Sequence, residues 1–163
     1  MRKFLCIGLF LTLGLSSVDA QLLAEPFLAT ASTADSKIIY LTNEQFLKQV
    51  YDYQANSKEW KYEGKLPCIV DFYADWCRPC KMLAPILEEL SKTYAGRVVF
   101  YKVNVDQEKS LAQVFQINSI PNLLFVSKDG KPAMQAGLFE KTQLIQIIEE
   151  FLLGKKTAGT SEK

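Results

Sequence analysis

The sequence predicts an α/β fold, a mixed central β-sheet flanked by helices on both faces. Three observations predict it. Between Ile38 and Leu152, apolar runs of strand length alternate with stretches whose apolar residues recur every three or four positions. Cys68 to Ala74 (CIVDFYA) is apolar nearly throughout, as expected of a strand buried on both faces. Two short strand candidates flank the turn Lys128-Asp129-Gly130 and precede a last helix, adding an antiparallel hairpin to an otherwise alternating order.

Each element has its own signal. Ile38-Ile39-Tyr40 is a short strand, and Thr42 precedes a helix carrying Phe46, Leu47, Val50 and Tyr51. The polar segment from Gln54 to Lys65, with two aromatics, ends that helix in a loop. After the strand Cys68 to Ala74 comes a helix with Leu83, Ile86, Leu87, Leu90 and Tyr94 on one stripe, and Pro85 is placed to kink it. Arg97 to Val105 (RVVFYKVNV) reads as the next strand, and Leu111, Val114 and Phe115 mark a short helix. Asn122 to Val126 (NLLFV) and Ala133 to Ala136 form the hairpin, and Leu144, Ile147, Ile148, Phe151 and Leu152 mark the final helix.

Composition narrows the chemistry. The 163 residues suit one domain with a sizeable core. Nineteen basic and eighteen acidic residues give a net charge of +1, which argues against nucleic acid or an anionic membrane surface as the main partner. The chain has no histidine, which excludes a Ser-His-Asp triad, a Cys-His pair and any histidine-bearing metal site.

The termini read as peripheral to the domain, which is assigned to residues 37–154. Residues 1–20 have the pattern of a signal peptide: Arg2 and Lys3, an apolar stretch from Phe4 to Leu15, then compact residues at Val18 and Ala20. That stretch is shorter than the roughly 20 residues a bilayer span needs. Cleavage after Ala20 would make Gln21 the mature N-terminus, remove Cys6 and direct the chain to the periplasm or outside the cell. Residues 21–36 read as a flexible tether and residues 155–163 as a disordered tail. In such a compartment disulfides persist, so a close cysteine pair plus one spare suggests working chemistry rather than a scaffold.

That pair lies in Trp76-Cys77-Arg78-Pro79-Cys80, directly after a buried strand and at the opening of a helix. Free N–H groups and the dipole at a helix start favour a thiolate there. Cys80, three positions on, returns to the same face, so the two sulfurs can close a disulfide and open it again. Arg78 adds positive charge, and Pro79 suits a first helical turn. A zinc site would need four ligands, and Cys68 is the one other cysteine after Ala20. A purely structural bridge over so tight a loop would constrain the unfolded chain little.

Asp71 is the second clue, a carboxylate inside an apolar strand, sharing a face with Ile69 and Tyr73. Burial raises a carboxyl pKa and suits it to accept a proton from a thiol near neutral pH. Pro121, after Ile120, stands just ahead of a strand, where its missing N–H is tolerated. Cys68 reads as a small buried hydrophobe.

These residues resemble the thioredoxin family. Val70 to Leu90 (VDFYADWCRPCKMLAPILEEL), Lys102 to Asp106 (KVNVD), Ser119-Ile120-Pro121 and Gly137 carry the resemblance, which spans about residues 37 to 153. It implies a thioredoxin fold, with Cys77 as an exposed nucleophile of low pKa and Cys80 as the buried resolving thiol. It further implies proton transfer at Asp71, a lysine partner for it in Lys102, and a cis-proline in Pro121. Trp76, Ile120, Pro121 and Gly137 would receive substrate. Arg78 stands where glycine is usual, Asn122 where threonine is common and Tyr73 where tryptophan is frequent. With Pro79, Arg78 is the residue expected to tune the redox potential.

The expected activity is reduction of disulfides in exported proteins, with no cofactor or metal beyond the Cys77–Cys80 disulfide. A membrane thiol relay is the expected electron donor, and the chain reads as a monomer. Competing readings are a disulfide oxidase or isomerase of the same compartment, and a non-catalytic binding subunit.

Overall fold

The computed structural model describes residues 38–155. The assignments of residues 1–20 as a signal peptide and 21–36 as a tether lie outside this range, as does nearly all of the tail. In chain order the elements are β1 (Ile39–Tyr40), α1 (Asn43–Gln49), β2 (Cys68–Tyr73), α2 (Arg78–Thr93) and β3 (Val99–Asn104). There follow α3 (Lys109–Val114), β4 (Asn122–Val126), β5 (Pro132–Ala136), α4 (Lys141–Gln146) and a π-helical segment, Ile147–Leu152. The five strands form one sheet in the order β1-β3-β2-β4-β5. β1, β3 and β2 run parallel, and β4 and β5 each pair antiparallel with the preceding neighbour.

Alternation along the central strands divides the core in two. Ile69, Phe100, Leu123 and Phe125 pack against Leu83, Leu87 and Leu90 of α2 and against Leu144, Ile148 and Leu152 of the C-terminal helix. Val70, Phe72, Val103 and Leu124 pack against Phe46 of α1 and Leu111 of α3 on the opposite face. Helices therefore cover both faces, and β2 is buried along its length as its apolar run predicts.

Local signals fix several boundaries. Thr42 caps α1 with a reciprocal capping box: its hydroxyl accepts from Gln45 N, and the Gln45 side chain accepts from Thr42 N at 3.0 Å. α2 contains Pro85, which removes one backbone donor within the helix.

Two features differ from the sequence reading. The final helix is not α throughout: Leu153 N donates to Ile148 O, five residues back, and the segment from Ile147 is π-helical. The Gln54 to Lys65 loop is polar in sequence, yet Trp60 and Tyr62 pack against the α1/α3 face of the core. Trp60 Nε1 donates to Gly130 O at 2.7 Å, and its ring lies 4.4 Å from that of Tyr51. The loop thus fastens the β4–β5 hairpin at its turn.

Candidate active site

The C-terminal ends of β2 and β3 and the N-terminal end of β4 lie at the same end of the sheet, and the chain passes from β2 into α2 there. Cys77 is the N-cap residue of α2, and Cys80 lies in the first turn behind Arg78 and Pro79. The two sulfurs form a disulfide, S–S 2.06 Å. Cys80 N donates to Cys77 Sγ at 3.2 Å, so the backbone of the helix start already points at the first sulfur. On reduction, that N–H and the dipole behind it favour a Cys77 thiolate.

The resemblance implied an exposed Cys77, and here the structure corrects it. Cys77 is 3% exposed and Cys80 2%, with Tyr73, Val105 and Ile120 packed against the pair and Ala74. The apolar wall explains the difference: it covers nearly all of both residues. Trp76, by contrast, is 70% exposed.

Asp71 and Lys102 form a buried ion pair. β2 and β3 pair in parallel with Asp71 opposite Lys102, so both side chains leave the sheet on the face covered by α2. Lys102 Nζ donates to Asp71 Oδ2 at 2.6 Å, and Asp71 Oδ1 has no protein partner. Burial raises the Asp71 carboxyl above the usual aspartate range, against the opposing pull of the Lys102 charge. Lys102 Nζ also sits 4.2 Å from the centre of the Tyr73 ring.

The Ile120–Pro121 peptide is cis. Pro121 is buried, Ile120 half-buried beside the disulfide, and Gly137 exposed with φ 126°. Gly137 N donates to Pro121 O at 2.9 Å, tying the proline turn to the end of β5. Ile120 packs against the disulfide cluster, Trp76 directly precedes Cys77, and Pro121 and Gly137 are hydrogen-bonded to each other, while Arg78 and Pro79 are exposed on the first turn of α2.

A polar network holds Trp76 in place, and sequence reasoning did not assign it. Trp76 Nε1 donates to Asp106 Oδ2 at 2.9 Å, and Asp106 N to Asn104 Oδ1 at 2.9 Å. Asn104 Nδ2 in turn donates to Asp75 Oδ2 at 3.2 Å. The available signal was a pair of polar residues, Asn104 and Asp106, at the end of an apolar strand. Cys68 lies away from this site, fully buried on the α1/α3 side, and burial pushes its thiol up to about 12. At such a value it stays protonated and unreactive near neutral pH.

A disulfide at a helix start, fed by a strand that carries a buried carboxylate and packed against the residue before a cis-proline, defines a protein that exchanges disulfides through its own two sulfurs. The chain belongs to the thioredoxin family: the model of the family described as Thioredoxin matches residues 37–150. It is 45% identical over 113 residues to the thioredoxin of Borreliella burgdorferi, covering 69% of this chain and 96% of that one. The thioredoxin of Buchnera aphidicola is 40% identical over 115 residues, 71% of this chain and 96% of that protein. A crystal structure of chloroplastic thioredoxin z superposes with a TM-score of 0.56 at 27% identity, covering 69% of this chain and 91% of that one. The chain is a thiol–disulfide oxidoreductase of thioredoxin fold.

Proposed function

We propose that this protein reduces disulfides in exported proteins, with Cys77 attacking and Cys80 resolving. The observation that carries the order of attack is the Cys80 N–H aimed at Cys77 Sγ, which favours negative charge on the first sulfur and offers the second no such bond. The Cys77 thiolate attacks one sulfur of a substrate disulfide, the substrate S–S bond breaks, and its other sulfur leaves as a thiolate that takes up a proton. Cys80 then passes its proton towards Asp71 and attacks Cys77 Sγ. The Cys77–Cys80 bond forms and the second substrate sulfur is released. Two electrons pass from protein to substrate, and an external dithiol must return them.

Asp71 is assigned to proton transfer because it is a buried carboxyl on the strand that leads to the cysteine pair, with one oxygen unpaired and its pKa raised. Lys102 holds its other oxygen. Trp76, Ile120, Pro121 and Gly137 are assigned to substrate docking, and Arg78 and Pro79 to tuning the potential. The export pattern in residues 1–20 supports substrates outside the cytoplasm and a membrane thiol relay as donor. The protein works as a monomer, without cofactor or metal.

Cys80→Ser removes the resolving thiol while leaving Cys77 in its cap position. Incubated with disulfide-bonded substrate, that variant should accumulate a mixed disulfide on Cys77, read by mass as a substrate adduct that dithiothreitol releases. Cys77→Ser should accumulate none. Equal trapping by both variants, or by neither, contradicts the assigned order.

A further inference from the structure

Tyr73 is the last residue of β2, and its side chain touches two things at once. It packs against the Ala74, Cys77 and Cys80 cluster, and its ring face lies 4.2 Å from Lys102 Nζ. The Lys102 ammonium is buried, with one anionic partner, Asp71 Oδ2, at 2.6 Å. A buried ammonium with an open side is costly, and an aromatic face is a surface that can cover it without competing for the carboxylate. Tyr40 backs the arrangement from β1, its ring edge-on to Tyr73 at 6.3 Å.

We infer that Tyr73 is a positioning residue for the resolving half of the exchange: its ring clamps the Lys102 ammonium against Asp71 and thereby sets that carboxylate's proton affinity. The inference rests on the proposed role of Asp71. The groups facing this pair are Tyr73 and Asp71 of β2, Lys102 and Asn104 of β3, Tyr40 of β1, Asp75 of the following loop and the two cysteines at the start of α2. β4 contributes the apolar Leu123 opposite Asp71. Among these, Lys102 supplies the positive charge, so holding it close stabilises the Asp71 carboxylate. Releasing it raises the pH at which Asp71 ionises.

The test is the ionisation midpoint of the Asp71 carboxyl carbon, followed by NMR in the full oxidised chain. Tyr73→Phe keeps the ring and should leave the midpoint at the wild-type value. Tyr73→Leu removes the ring and should raise it by about 0.5 pH unit, the size expected from an ordinary cation–π contact. Tyr73→Met substitutes for the Leu variant, with the same expectation, if the latter does not give a dispersed spectrum. An unchanged midpoint without the ring overturns the clamp, as does a Phe variant that shifts as far as the Leu one. A fall in the midpoint overturns it too, because the ring would then be acting as a water shield. Asp71→Asn separates this inference from the role it rests on. Reduced protein mixed with 5,5′-dithiobis(2-nitrobenzoate) releases the coloured thiol in two phases, and the second phase is the Cys80 step. If the Asn variant keeps the wild-type pH profile in that phase, proton transfer by Asp71 fails. The carboxyl midpoints still decide the clamp.

Discussion

Asp71 is a fully buried carboxylate in the central strand, and its ionisation works against the fold. The sign of its effect on stability follows. Below the ordinary aspartate value the group is protonated in both folded and unfolded chains and contributes nothing. As pH rises from that value to the raised folded one, the unfolded chain loses its proton first, so the folded state is progressively penalised. Above the folded pKa the penalty is constant. In Asp71→Asn this dependence should vanish. Urea unfolding of oxidised wild type and variant should therefore show the difference moving against the wild type as pH rises; a flat difference contradicts a raised Asp71 pKa. At this scale the sequence was uneven. Cys77, Cys80 and Asp71 were legible because each breaks a local pattern. Lys102 was not, since a lysine in RVVFYKVNV looks like an ordinary alternate polar position, and only the register opposite Asp71 and the family resemblance give it meaning. The Trp76–Asp106 bond joins residues thirty positions apart, and nothing local announces it.

Elements were legible where period and caps agree. α1, β2, α2 and β4 lie close to where apolar spacing and turn residues put them. The π-helical end was hidden because Leu144, Ile148 and Leu152, buried at intervals of four, satisfy an α pattern equally well. The Trp60 anchor was hidden because its partner is a backbone carbonyl of a distant turn. α3 ends in a way that makes a further prediction. Ile117 N donates to Ala112 O and Gln116 N to Gln113 O, a paired closure that requires a left-handed residue between them. Gln116 supplies it with φ 50°, a region that costs a residue with a Cβ about 1–2 kcal/mol. Glycine relieves that strain and gives back about 0.5–1 kcal/mol in chain entropy. Gln116→Gly should therefore raise unfolding stability by roughly 0.5–1 kcal/mol, seen as a higher denaturation midpoint with an unchanged slope. Destabilisation would mean that the Gln116 side chain holds the α3 end by contacts of its own.

For the whole molecule, the sheet order places three working segments at one end of the sheet: the β2–α2 junction, the proline turn before β4 and the end of β5. The sequence predicted the mixed sheet and its two helical faces from alternation alone. It could not bring Ile120 against the disulfide or Gly137 against Pro121, because strand order is a long-range property that the resemblance supplied. Nor does geometry by itself state which way electrons flow. That is a matter of potential, and Arg78 beside Cys77 is the departure from family pattern best placed to move it.

The reduction potential of the Cys77–Cys80 couple therefore decides between reduction and disulfide donation. The folded protein is equilibrated in glutathione and dithiothreitol buffers, and free thiols are counted by alkylation and mass. A reversible two-electron transition confined to Cys77 and Cys80 is expected, with Cys68 unlabelled throughout. Its midpoint should lie near about −270 mV, a value characteristic of thioredoxins generally rather than one the geometry yields. A midpoint near about −120 mV would contradict the reductase assignment in favour of disulfide donation, with Arg78→Gly the first reversion to make. A pair that does not titrate at all would contradict thiol–disulfide exchange itself.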